Sequence, residues 1–130
     1  MSTDILGVRY DTPIVLAPVG GHRAFNAAGE EAVARAAKVG NHLMILSTMS
    51  TTSPETVMAE RAAPIWYQLY ATNKWEVAAS HLARAERAGC LAVAVTVVMV
   101  PVVLSEKVTV APPSGPLPLM NQSTRFGDHW

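Results

Sequence analysis

Residues 91–103 read LAVAVTVVMVPVV, thirteen residues in which Thr96 is the lone polar side chain. Such a run is a membrane segment, a strand buried on both faces, or a strand that carries a site. Length argues against the first. The apolar run from Cys90 to Leu104 falls short of the roughly 20 residues a helix needs to cross a bilayer, and Pro101 interrupts it. Residues 91–98 therefore read as a buried strand, and the segments before it follow the same rhythm.

Immediately upstream, TNKWEVAASHLARAERAGC places Trp75, Ala78, Ala79, Leu82 and Ala85 at helical spacing, and Gly89 ends that helix. IWYQLY (65–70) is rich in aromatic and β-branched residues and reads as a strand. Before it, Ser53-Pro54-Glu55 supplies an N-cap, a proline at the first helical position and an early acid, which start a helix running to about Arg61. LMILS (43–47) and IVLAP (14–18) are two more apolar strands. Between them GEEAVARAAKVG (29–40) sets Ala32, Val33, Ala36 and Ala37 on one face, with Glu31 and Arg35 four apart outside and Gly40 as the stop.

Four near-continuous apolar strands alternating with three helices predict an α/β fold of parallel β/α units. Two architectures satisfy that pattern: a small doubly wound sheet, or about the first half of a TIM (β/α)8 barrel, which in full takes roughly 250 residues. Residues 1–104 form the expected partial barrel, three β/α units and a fourth strand. Residues 105–130 carry four prolines within 112–118 and no helical period, and are expected to form an irregular C-terminal tail.

Of the 130 residues, half are hydrophobic and 15% charged, enough apolar surface for a packed core. Ten basic residues balance ten acidic ones, so no electrostatic case exists for nucleic acid or an anionic membrane surface. The single cysteine, Cys90, excludes an internal disulfide and fits a reducing cytoplasm; its place between helix and strand reads as that of a small buried hydrophobe. The opening MSTDILGVRY lacks the basic-then-apolar pattern of a signal peptide. His22, His42, His81 and His129 show no metal-ligand spacing, and His81 flanks the stripe of the third helix as a boundary residue.

In parallel β/α folds ligands lie at the carboxyl ends of the strands. The polar strand residues fall there: the first strand ends in Pro18-Val19-Gly20-Gly21-His22, the second in Ser47, the third carries Gln68 and Tyr70, and the fourth Thr96. Small residues at 20 and 21 let a flat ligand approach the backbone. Ser47, Gln68 and Thr96 suit the polar edge of a heterocycle, and a tyrosine hydroxyl can bind a carboxylate or a developing oxyanion. Each feature has a plainer reading alone, as a turn, the start of a polar loop or a core aromatic. Taken together they define a face and not a reaction.

From Ile5 to Thr96 the chain resembles the FMN-dependent 2-hydroxy-acid oxidases and dehydrogenases. The resemblance rests on ILGVRYDTPIVLAPVGG, GEEAVARAA, LMILSTMSTTSPETV, WYQLYATNKW and RAERAGCLAVAVTV, in the family's order and spacing. It implies a (β/α)8 barrel with FMN at the carboxyl ends of the strands. It implies further that Pro18, Val19 and Gly20 lie against the isoalloxazine ring, that Ser47, Gln68 and Thr96 bind its polar edge, and that Tyr70 faces a small 2-hydroxy-acid substrate. The implied reaction takes a hydride equivalent from the substrate's α-carbon to the flavin and leaves the 2-oxo acid.

The departures shape the remaining expectations. The family's histidine base, its carboxylate-gripping arginine, the lysine beside reduced flavin and the phosphate site come from later strands. Its fourth-strand motif is Thr-Val-Asp, whereas this chain reads Thr96-Val97-Val98. The expectation is a truncated or frame-disrupted member, inactive alone. The alternative is a non-catalytic half-barrel that binds a flavin or a partner chain, with unpaired strand edges inviting homo-oligomers or aggregation.

Overall fold

The structure is a computed structural model that describes residues 1–97 and 107–110. The chain opens with a hairpin, β1 (Thr3–Ile5) and β2 (Val8–Tyr10), followed by the short β3 (Val15–Leu16), a 3-10 turn at His22–Ala24 and α1 (Gly29–Val39). Then come β4 (Leu43–Ser47), α2 (Pro54–Arg61), β5 (Trp66–Tyr70), α3 (Trp75–Arg87), β6 (Ala92–Val97) and β7 (Lys107–Val110). In the sheet the order β3-β4-β5-β6-β7 follows the sequence; the first four strands are mutually parallel and β7 runs antiparallel to β6. The α/β reading and the parallel β/α units stand as expected.

Strand parity divides the sheet into two faces. Met44, Leu46, Tyr67, Leu69 and Val93 point to the helices and pack with Ala34, Ala37, Val57, Ala78 and Ala85 in the larger core. Leu43, Trp66 and Ala92 point the other way and pack with Tyr10, Ile5, Leu6 and Val8 of the hairpin. Burying a side chain such as Leu46, 1% exposed, contributes roughly 1.5–3 kcal/mol. Strand β5 is buried along its whole length except at Tyr70, as its central place between β4 and β6 requires. Among the described residues no helix is long and apolar enough to cross a membrane.

Several elements differ from the expectation. The hairpin was not foreseen. Its two-residue turn, Leu6-Gly7, has both residues at positive φ, 49° and 79°, the twist that closes a tight hairpin. Helix α1 turns its face toward Glu30, Ala34 and Ala37, leaving Ala36 exposed, because a buried acid rather than an alanine sets the phase. Glu31 and Arg35 do not pair: Glu31 meets Arg23 at 2.9 Å, and Arg35 meets Glu60 on α2 at 3.2 Å. Gly40 caps the helix after Val39 as expected, Asn41 follows it at φ 43°, and a Cβ on Gly40 would crowd the His42 ring.

The expected irregular tail contributes β7, whose alternating Lys-Val-Thr-Val is a strand pattern that the neighbouring prolines masked. Val98, and the remainder of the tail, lie outside the described residues. Helix α3 buries Ala78 and Ala85 and packs Leu82, but Trp75 stays 37% exposed at its first turn. Cys90 is half-buried against the helix-side core, and burial pushes its thiol up to about 11.

Candidate functional site

Three strands in register bring the expected polar residues together. Ser47 stands opposite Gln68, and Tyr70 opposite Thr96. All four share the parity of Leu43, Trp66 and Ala92, so they occupy the face away from the helices, at the carboxyl end of the sheet. A hydrogen-bonded row crosses that face. Ser47 Oγ donates to Gln68 Oε1 at 3.0 Å, and Gln68 Nε2 donates to Thr96 Oγ1 at 2.6 Å. Ser47 and Gln68 are buried, at 2% and 1% exposed, and the row satisfies side chains that would otherwise be costly to bury.

The loop after β4 holds this row in place. Met49 N donates to Ser47 Oγ at 3.1 Å, and Thr48 N donates to the Gln68 carbonyl at 3.0 Å. Thr48 Oγ1 donates to that same carbonyl and accepts from Tyr70 N at 3.3 Å. Thr48 was not among the expected residues; only its place one residue past the strand end marks it. Tyr70 ends β5 opposite Thr96 and, at 43% exposed, is the one exposed residue of that strand.

Pro18, Val19 and Gly20 follow β3 at the same end of the sheet; Pro18 is half-buried and Val19 46% exposed. Gly20 has a reason within the protein: a Cβ there would stand 2.8 Å from Met49 Cβ and 3.3 Å from the Met49 carbonyl. The adjoining Gly21, at φ 68°, donates from its N–H to Met49 O at 3.0 Å. The two loops at the ends of β3 and β4 are thus in direct contact.

Beneath them lies a buried acid that sequence reasoning missed. Glu30, 0% exposed, accepts from Thr51 N at 2.8 Å, Thr51 Oγ1 at 2.6 Å, Thr52 Oγ1 at 3.0 Å and His22 N at 3.4 Å. Burial pushes this carboxyl up, but the bonds from Thr51 and Thr52 outweigh it and hold it down at about 2. Its signal in the sequence was an acid in helical phase with Ala34 and Ala37. On the opposite, helix-covered face, Tyr67 Oη lies 3.2 Å from His81 Nδ1, so the boundary histidine is half-buried with a partner.

A parallel α/β sheet whose strand ends present a row of amide and hydroxyl groups, with a glycine-bearing loop and an exposed tyrosine at the same end, is a β/α protein with its candidate ligand site at the carboxyl ends of the strands. Residues 1–108 match the model of the FMN-dependent dehydrogenases. A peroxisomal (S)-2-hydroxy-acid oxidase of Oryza sativa subsp. indica is 41% identical over 97 residues, covering 75% of this chain and 26% of that protein. An L-lactate oxidase of Lysinibacillus sphaericus is 42% identical over 97 residues, 74% of this chain and 25% of that one. Among solved structures, mandelate oxidase with (S)-4-hydroxymandelic acid superposes at TM-score 0.68 with 36% identity, over 72% of this chain and 26% of that one. A lactate oxidase of Pediococcus acidilactici superposes at 0.70 with 30% identity, over 72% and 26%.

The chain belongs to the FMN-dependent dehydrogenase family of 2-hydroxy-acid oxidoreductases, whose cofactor is FMN. It spans about a quarter of the length of the curated relatives it matches. Among the described residues, four parallel strands and three α-helices form the arrangement expected for the first half of a (β/α)8 barrel.

Proposed function

We propose that this chain carries the flavin-ring half of an FMN-dependent 2-hydroxy-acid oxidoreductase, acting on CH–OH donors such as glycolate, lactate or a related small acid. The observation that carries the reading is the Ser47–Gln68–Thr96 row. Ser47 gives its proton to Gln68 and Gln68 gives one amide hydrogen to Thr96, so the second Gln68 amide hydrogen and the Thr96 hydroxyl hydrogen remain for a ligand, among the described residues. Those donors suit the carbonyl-rich edge of an isoalloxazine ring, which is the fit that FMN requires here. Pro18, Val19 and Gly20 would support the ring's flat side, and the Tyr70 hydroxyl would meet the substrate carboxylate or the oxygen of its developing 2-oxo group. FMN, when bound, supplies the acceptor for the hydride equivalent leaving the substrate's α-carbon.

Quenching of FMN fluorescence on titration with the protein tests this reading. Wild type is expected to bind saturably, and Gln68→Leu, checked for folding by circular dichroism, to bind at least tenfold more weakly. Equal binding by the two would remove the row from the site. The proposed compartment is the cytoplasm, supported by the single unpaired thiol, Cys90.

A second reading, a non-catalytic half-barrel that binds flavin or a partner chain, is favoured by β7. That strand pairs antiparallel on the edge of β6, where a continuing parallel barrel would place its next parallel strand. On that reading flavin binding persists while no 2-hydroxy acid is turned over. Association between copies would use the β3 edge, where Ile14 is 58% and Val15 38% exposed.

A further inference from the structure

We infer that Glu30 is the positioning residue of the flavin face: one buried carboxylate sets the spacing of the two loops that present its apolar and polar parts. The inference rests on the function proposed above and names what aligns that site. Glu30 lies in the first turn of α1, and its two carboxylate oxygens reach two different loops. One is the loop after β3, through His22 N at 3.4 Å, and the other is the loop after β4, through Thr51 N, Thr51 Oγ1 and Thr52 Oγ1 at 2.6–3.0 Å. The loops also touch directly, by the Gly21 N–H on Met49 O at 3.0 Å and by the approach of Gly20 to Met49.

From Thr51 to the polar row is a short path. Met49 N donates to Ser47 Oγ at 3.1 Å, and Ser47 Oγ donates to Gln68 Oε1 at 3.0 Å. A shift of Thr51 therefore moves Met49, and Met49 moves both Ser47 on one side and Gly20 on the other. The carboxylate's geometry suits this task, because it accepts four bonds at once and offers no donor hydrogen of its own. The tight Gly20–Met49 contact leaves little slack, so a small displacement at Glu30 reaches the ring-facing backbone.

The test compares Glu30→Leu, Glu30→Gln and the double variant Thr51→Val/Thr52→Val with wild type, by FMN titration and by the amide shifts of nitrogen-15-labelled protein. Glu30→Leu is expected to bind FMN at least tenfold more weakly and with an altered bound-flavin visible spectrum. Glu30→Gln, which keeps the shape and an acceptor for Thr51 N, is expected to recover most of that loss. The double variant covers the case in which Glu30→Leu does not fold, and is expected to weaken FMN several-fold. In all three, the expected amide shifts extend to Gly20–His22 and Ser47–Met49 and spare the middle of α3. FMN affinity and spectrum within twofold of wild type in Glu30→Leu, or in the double variant where the single one does not fold, overturn the inference. If wild type itself binds no FMN, the proposed function fails separately. The loop coupling is then judged on the amide shifts alone, and shifts confined to Thr51 and Thr52 overturn it.

Discussion

At the scale of single residues, Gly20 and Glu30 show how the site is built from contacts rather than from its own polar groups. A methyl group on Gly20 must displace Met49 backbone, and overpacking of this kind costs about 1–3 kcal/mol. Gly20→Ala is therefore expected to lower stability by that amount in urea unfolding and to weaken FMN more than Gly21→Ala, whose Cβ would meet nothing within 4 Å and whose cost comes instead from its left-handed backbone at φ 68°. Equal flavin affinities in the two variants would contradict the account. Glu30 adds a pH dependence with a definite sign. Its carboxyl is held at about 2, below its ordinary 4.5, so the stability it contributes is complete above 4.5 and is lost as pH falls toward 2. Melting temperatures of wild type and Glu30→Gln should converge over that interval; a gap that stays constant from pH 6 to 2 would contradict it. Glu55 is also held at about 2 by Arg84, but this pair is half-exposed and its contribution is screened by salt. Ser47, Gln68 and Thr96 were legible as candidates because each is a polar exception in an apolar strand, and the strands bring them into one row. Glu30 was not, since an acid in a first helical turn has an ordinary surface role favourable to the helix dipole.

At the scale of elements, the helices and central strands follow from periodicity, and the hairpin does not. Strand β4 and helix α2 begin and end where the sequence places them, because a continuous apolar run and a Ser-Pro-Glu cap leave little choice. The β1–β2 hairpin escaped because Leu6-Gly7 is an unusual turn: a leucine at φ 49° is disfavoured, and its packing against Tyr10 and Trp66 holds it. That hairpin buries Tyr10 at 1% exposure with its hydroxyl lacking a hydrogen-bond partner among the described residues. An unpaired buried hydroxyl costs about 1–3 kcal/mol, so Tyr10→Phe is expected to leave stability unchanged or raise it by up to that amount. A loss of more than 1 kcal/mol on chemical denaturation would show that the hydroxyl is satisfied. The strand at Lys107–Val110 was obscured for another reason: four residues of alternation are a weak signal beside a proline-rich stretch, and pairing to the edge of β6 decides their conformation.

At the scale of the molecule, the sheet has two unlike ends and two unlike edges. Its carboxyl end gathers the polar row and both site loops, and the hairpin packs on the same face toward the other end. One edge is β7, paired antiparallel to β6, and the other is β3, where Val15 and the preceding Ile14 are exposed. Val15→Lys, a charge on an open edge, is expected to shift a concentration-dependent dimer toward monomer in analytical ultracentrifugation. Wild type that is already monomeric at every concentration would contradict edge pairing. The central claim is that the carboxyl ends of β3 to β6 form the flavin-ring site. It is tested most directly by following amide and side-chain resonances of the nitrogen-15-labelled protein through an FMN titration. The account predicts saturable shifts at Val19, Gly20, Ser47, Tyr70, Thr96 and the Gln68 side-chain amide, with the β1–β2 hairpin unmoved. Shifts centred elsewhere, or none at saturating FMN, would contradict it.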